Sequence, residues 1–149
     1  MKTIYIGADH NGFAYKEKLV DVLRESGYTV VDVGNSRLEP VDDYPVFAGQ
    51  VVASLSADND PDSKGILICG SGHGVCIAAN RFRGMRACVC WNVELARVAR
   101  NDDDSNILCL SARYVPYEDT LEIVKTWLET PFAGAVRFRR RLQEVDELQ

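Results

Sequence analysis

No stretch of this chain is apolar for long enough to span a bilayer. Histidine is scarce, with only His10 and His73, too few for a histidine-rich metal centre. The five cysteines, Cys69, Cys76, Cys88, Cys90 and Cys109, contain no CxxC pair and are odd in number, which argues against a disulfide framework or a zinc site. Cys88, Cys90 and Cys109 lie in apolar runs and read as small buried hydrophobes. Positive charge is also in deficit. Seventeen Lys and Arg against 22 Asp and Glu leave a net charge of -5, unfavourable for a nucleic-acid partner or an anionic membrane surface. The opening residues, Met1–Gly7, hold too few apolar side chains before Asp9 for a signal peptide and read as a buried strand. The expectation is a cytoplasmic protein.

What is present is an ordinary globular balance, 46% hydrophobic and 26% charged over 149 residues, enough for one domain, 1–149, with one sizeable core. Strand and helix patterns alternate throughout. Apolar runs at Ile4–Gly7, Tyr28–Val33, Gly65–Cys69, Met85–Cys90 and Ile107–Ser111 read as strands. Between them, Leu19, Val20 and Leu23 share a helical face that ends at Gly27. Asp42, Asp43 and Pro45 open a helix carrying Phe47, Val51, Val52 and Leu55. Further helices are expected from about Val75 to Asn80, over Asn92–Arg100 and over Tyr117–Glu129, with a charged last one between Gly134 and Leu148. Five strands alternating with helices imply right-handed βαβ crossovers. The expected fold is a three-layer α/β/α sandwich with a five-stranded parallel sheet, Rossmann-like. Ligands of such sheets sit beyond the carboxyl ends of the strands, which puts the loops after strands one, three and four on one rim.

The most informative segment is Cys69-Gly70-Ser71-Gly72-His73-Gly74. A glycine-rich turn between strand and helix exposes backbone N–H groups and allows close approach of a ligand, which makes an anion cradle. A thiol at its lip, near a helix start, tends toward thiolate. A base beside donors for an oxygen that turns negative is what an enolisation requires. Rival readings fit less well. The glycine spacing departs from G-x-G-x-x-G and follows the third strand rather than the first. No Gly-Lys-Ser/Thr is present, and the position where a cysteine phosphatase carries arginine, six beyond the cysteine, is Val75. A plain tight turn with a buried thiol is the bland alternative.

Two further groups stand out. Asp9 and His10 leave the first strand together, suited to sugar hydroxyls and to a phosphate respectively, although Asp9 or Asn11 can equally cap the next helix. In Arg137-Phe138-Arg139-Arg140-Arg141, Arg137 and Arg141 share a helix face and suit a phosphate dianion; a solvated basic face is the alternative.

These residues add up to a resemblance. With Gly7-Ala8-Asp9-His10, Asp43-Tyr44-Pro45, Ile66–Gly72, Ile77-Ala78-Ala79-Asn80, Gly84-Met85-Arg86-Ala87, Asp104–Leu108 and the Arg137/Arg141 pair in order, the chain resembles the ribose-5-phosphate isomerase B family, which includes galactose-6-phosphate isomerases. The resemblance implies that Cys69 moves a proton between C1 and C2, and that the amides of Gly70, Gly72 and Gly74 hold the enediolate oxygen. Ser71 then hydrogen-bonds near the reacting carbons, Asp9 binds sugar hydroxyls, and Tyr44 walls the pocket. His10, Arg137 and Arg141 grip the phosphate, and Arg113 and Asp103 join the substrate-binding set. It further implies a homodimer with shared sites, the arginines reaching across from the partner, and no metal or cofactor. Departures exist. Asp102 and Asp103 stand where the family's ribose-5-phosphate isomerases usually carry a His-Asn pair, the histidine being associated with ring opening, so Asp102 becomes the candidate for that step. Phe138 replaces a frequent histidine, and His73 lies where relatives often have an apolar residue or Asn; it is either an extra acid/base or a solvent-exposed ring. The expected activity is an aldose–ketose isomerisation of a sugar phosphate, ribose 5-phosphate by default. A tetrose or hexose phosphate, or a non-catalytic binding subunit, are the alternatives.

Overall fold

The computed structural model describes residues 2–148; Met1 and Gln149, the ends of the expected domain, lie outside the described residues. The chain runs β1 (Thr3–Ala8), α1 (Phe13–Glu25), β2 (Thr29–Asp32), α2 (Tyr44–Ala57), β3 (Lys64–Cys69), α3 (His73–Ala79), β4 (Ala87–Val89), α4 (Val93–Asn101), β5 (Ile107–Ser111), α5 (Tyr117–Glu129) and α6 (Val136–Asp146). The sheet order is β2-β1-β3-β5-β4, and every pairing is parallel. The three-layer Rossmann-like sandwich expected from the alternating pattern is thus the fold.

Side-chain alternation along each strand feeds two cores. Ile4, Ile6, Ile66, Ile68, Leu108 and Leu110 face α1, α4 and α5, where Leu19, Leu23, Ile123 and Trp127 close the layer. Leu67, Cys69, Ile107 and Cys109 face α2 and α3, against Ala48, Val51, Val52 and Val75. The central strand β3 is buried along its whole length, which is why its sequence is a continuous apolar run rather than an alternating one.

Several motif residues turn out to staple the edge of the sheet. Asn80 accepts from Ala87 N and donates to Ala87 O, at 2.8 and 2.9 Å. Asn106 accepts from Arg86 N at 2.8 Å and donates to Gly84 O at 2.9 Å. Arg100 donates to Asp104 Oδ1 and to Ser105 O, while Trp127 Nε1 donates to Ser105 Oγ at 2.8 Å. β4 is three residues long, against the Met85–Cys90 expected, and at its start Arg86 N is taken by the Asn106 side chain instead of the ladder. Cys88 is therefore only half-buried on this edge strand, unlike Cys90 and Cys109. Helix α3 begins at His73, two residues earlier than expected, because Gly72 at φ +83° turns the chain straight into it. No helix among the described residues is long and apolar enough to cross a membrane.

Candidate active site

Strands β1 and β3 are neighbours, yet their following helices pack on opposite faces, α1 on one and α3 on the other. The loops after them diverge and leave a crevice at the carboxyl ends, the place where open α/β sheets bind ligands. Asp9 N donates to Ile68 O at 3.2 Å, so the loop after β1 leaves the sheet pinned to β3.

Cys69 closes β3 with its side chain 4% exposed. The Gly72 N–H points at its Sγ from 3.2 Å, a donor aimed where negative charge on sulfur would sit. The turn that allows this needs φ +83° at Gly72, and a Cβ there would also stand 3.2 Å from the Leu110 carbonyl. Ser71 Oγ accepts from His73 N at 3.2 Å, so its own proton is available to a ligand. Gly74 is open for a different reason. A Cβ on it would lie 2.7 Å from the ring of Tyr44, which stands at the start of α2, 38% exposed, as a wall over the loop. Beyond β5, Arg113 N donates to Gly70 O at 3.0 Å. Its guanidinium carbon and the Asn11 amide flank Gly70, 3.7 and 3.4 Å from the point where a Cβ would be. His73 is exposed and, with Ser71, Trp91 and Tyr114, lines an adjoining groove of about 550 Å³.

On the β1 side, Asp9 is buried, and its Oδ1 accepts the amides of Asn11 at 2.9 Å and Gly12 at 3.2 Å. Asp9, not Asn11, therefore shapes the entry to α1, and its Oδ2 is the oxygen left for a ligand. His10 donates its backbone N–H to Asp42 Oδ1 at 2.8 Å and shares its Nδ1 with the same oxygen at 2.9 Å. That side-chain hydrogen bond raises the imidazole pKa above its ordinary value, burial opposes the rise, and Asp9 reinforces it. Ligand atoms of Asp9, His10 and Asp42 lie within 4.8 Å of one another, close enough to hold a metal ion. The bonds just described already account for the grouping of the trio.

The remaining candidates lie elsewhere. Asp102 and Asp103 follow α4 and precede β5, at the amino end of the sheet, a strand's length of roughly 15 Å from Cys69's rim. Burial first, and then Asp102, push the Asp103 carboxyl up, while Arg141 pulls it down. Arg141 and Arg137 belong to α6, a helix with no buried residue, tied at its start by Ala133 N donating to Asn101 O at 3.1 Å. Of its four arginines, Arg139 donates to Gly134 O and Arg140 reaches Glu144 at 3.9 Å; Arg137 and Arg141 are exposed. The chain thus brings Cys69, Ser71, Asp9, His10, Tyr44, Gly70, Gly72, His73, Gly74 and Arg113 to one rim. It leaves Asp102, Asp103, Arg137 and Arg141 at the other.

Comparison with known proteins matches residues 4–145 to the Ribose/Galactose Isomerase family. The chain belongs to this family. Among its relatives, ribose-5-phosphate isomerase B of Escherichia coli is 39% identical over 149 residues, covering 100% of this chain and 97% of that protein. The Mycoplasma genitalium enzyme, solved with bound ribulose-5-phosphate, superposes with a TM-score of 0.92 at 37% identity, covering 97% of this chain and 93% of that one. A ribose 5-phosphate isomerase from Thermotoga maritima gives 0.92 at 42% identity, with 99% of each chain covered. The chain is an aldose–ketose isomerase, and the isomerase's crevice holds two groups that sequence reasoning passed over. Asp42 looked only like a helix-start residue, because nothing in the sequence indicates that its carboxylate folds back onto His10. Asn11 reads from the sequence only as a cap, whereas its amide faces Gly70.

Proposed function

We propose that this isomerase interconverts ribose 5-phosphate and ribulose 5-phosphate by proton transfer through a cis-enediolate, with Cys69 as the base. Cys69 takes the C2 proton of the open-chain aldose, and the electron pair moves onto the C1 carbonyl oxygen. Donors of the Gly70–Gly74 loop hold the negative oxygen, Ser71 carries a proton between O1 and O2, and the thiol returns its proton to C1. Asp9 takes sugar hydroxyls through Oδ2. His10 and Arg113 meet the phosphate from one chain, and Arg137 and Arg141 meet it from a second. The observation that carries this reading is the thiol at the lip of a backbone-amide turn, at the switch point of the sheet, beside a buried carboxylate. Chemistry of this kind calls for no metal and suits a cytoplasmic homodimer.

The homodimer is supported by the division of the site. A phosphate grip of two exposed arginines on a helix with no buried residue meets the thiol only when another copy supplies it. Asp102 and Asp103 are the reason to keep a second substrate in view. Ribose 5-phosphate rests as a closed furanose, and an aspartate, with a reference pKa of ~3.9, is a weaker proton shuttle at neutral pH than a histidine, so a tetrose 4-phosphate, which cannot close that ring, is the competing substrate. The test is a panel of aldose phosphates assayed for ketose formation with EDTA present and in deuterated water. Deuterium at the transferred position and full activity with EDTA are expected. Complete retention of substrate hydrogen, with activity lost on chelation, overturns the mechanism.

A further inference from the structure

His10 stands at the end of a chain of hydrogen bonds that starts in the interior. Lys16, on α1, is fully buried. Its ammonium is held by Asp32 Oδ2 at 2.5 Å, Glu17 Oε1 at 2.8 Å and the backbone oxygen of Asn35 at 2.9 Å. Asp32 spends its other oxygen on Gly34 N at 2.9 Å. The loop after β2 is thereby pinned to α1 at Gly34 and Asn35. Asn35 Nδ2 then donates to Asp42 Oδ2 at 3.1 Å, which leaves Asp42 Oδ1 for the two His10 groups. Both carboxylate oxygens of Asp42 are engaged, and its side chain is 13% exposed against 33% for His10.

We propose that Asp42 is a positioning residue for phosphate binding: it fixes His10 with Nδ1 committed to Asp42 and only Nε2 free for the phosphate, and Lys16 and Asn35 hold Asp42 in place to do so. This rests on the reading of His10 as a phosphate ligand. The chemical consequence is specific. A carboxylate accepts and cannot donate, so Nδ1 carries a proton. A neutral ring in that tautomer presents a bare Nε2, which repels phosphate oxygens. Only the imidazolium can donate through Nε2, so the loop that orients the ring also obliges it to bind as a cation. The charged groups that face the ring are Asp9 from the β1–α1 loop and Asp42 from the β2–α2 loop, and both favour the cation.

The test uses the full chain and the fact that it holds only two histidines. The ring Cε1–H signals of His10 and His73 are followed by NMR through a pH titration, with and without inorganic phosphate, and a His73→Gln sample assigns them. Asp42→Asn keeps the size and one acceptor but removes the charge. It should lower the pH at which His10 titrates and leave His73 unmoved. The KM for ribose 5-phosphate, compared at a pH between the two measured His10 midpoints, should rise about tenfold, the loss of one charge-assisted hydrogen bond, with kcat retained. Asn35→Ala, which touches neither His10 nor the substrate, should act in the same direction more weakly, and Asp42→Glu should restore part of the wild-type titration. An unchanged His10 titration in Asp42→Asn overturns the positioning role whatever happens to KM. A shifted titration with His10 signals indifferent to inorganic phosphate, and KM unmoved, instead removes His10 from the phosphate site, and the proposal falls with that reading.

Discussion

The carboxyl-end rim of the sheet and its amino-end rim carry functional candidates built in opposite ways. At the carboxyl end each group is fixed by short hydrogen bonds. Cys69 receives the Gly72 amide, Asp9 receives two amides, Ser71 receives the His73 amide, and His10 is clamped by Asp42. At the amino end, Arg137 and Arg141 project from a helix with no buried residue, and Asp103 is exposed on a loop. On the proposed mechanism the contrast matches two kinds of work. A proton transfer needs its base and its oxyanion donors fixed to within a fraction of an ångström before the substrate arrives. A phosphate dianion tolerates looser placement, because Arg brings several donors and a full charge. The cysteines repeat the contrast on a small scale. Burial pushes the Cys88 thiol up to about 11 and Cys90 up to about 12, which makes them packing groups; Cys69 alone sits at the turn.

The comparison is broken most severely at the base. Cys69→Ala should cut kcat by ~10²–10⁴-fold, the usual worth of general-base catalysis, with only a modest change in KM; near-normal turnover would remove Cys69 from the mechanism and leave His73 as the next candidate. Arg141→Ala removes a charge-assisted bond worth ~1.5–3 kcal/mol. It should raise KM and weaken inhibition by inorganic phosphate while kcat holds. An unchanged inhibition constant would make the α6 arginines a solvated face.

Mixing the two variants sharpens the comparison. If one rim of each copy completes the other, co-refolded Cys69→Ala and Arg141→Ala chains, assayed at substrate far below the raised KM of Arg141→Ala so that neither variant alone turns over appreciably, should show wild-type-like activity in about a quarter of their sites, since half the dimers are mixed and each holds one intact site. No recovery would mean that both rims act within a single chain or that the arginines are idle.

Smaller effects are expected at Asp102. Asp102→His introduces a group that titrates near neutrality and should improve turnover of ribose 5-phosphate but not of erythrose 4-phosphate. The ratio of the two specificity constants is the measurement, and an unmoved ratio would show that this loop does not limit ring opening. The smallest effect concerns Lys64, at the amino end of β3, whose ammonium donates to the carbonyls of Pro61, Asp62 and Ser63. Burial first, then Arg100 and Lys2, lower its pKa to about 8, against ~10.4 in an unfolded chain. Between those values the unfolded chain binds more protons, so Lys64 should make stability rise with pH from about 8 upward. Lys64→Met should remove that rise in thermal melting between pH 8 and pH 10, and an identical pH slope in the variant would refute the assignment.

Much of this was legible in the residues themselves. The strand at Ile107–Ser111 and the helix at Tyr117–Glu129 match the expected bounds, because each is an uninterrupted pattern ended by a turn or by Pro131. Met85–Cys90 misled because an apolar run does not reveal that Asn106 captures its first amide. The glycine-rich turn was readable because its chemistry is local: a strand end, three glycines and a thiol within six residues.

The sequence by itself determined the alternation of strands and helices, hence the parallel sandwich, and the glycine-rich turn with Cys69 at its lip. Both follow from periodicity and from backbone freedom, which neighbouring residues specify. Only the tertiary structure decided the strand order that sets the β1 and β3 loops beside one crevice, the return of Asp42 onto His10, and the separation of Arg137 and Arg141 from Cys69. Each of those is a relation between segments far apart in the chain. It depends on which faces the helices cover and how the strands register, information that is spread over the whole core and that no short motif contains.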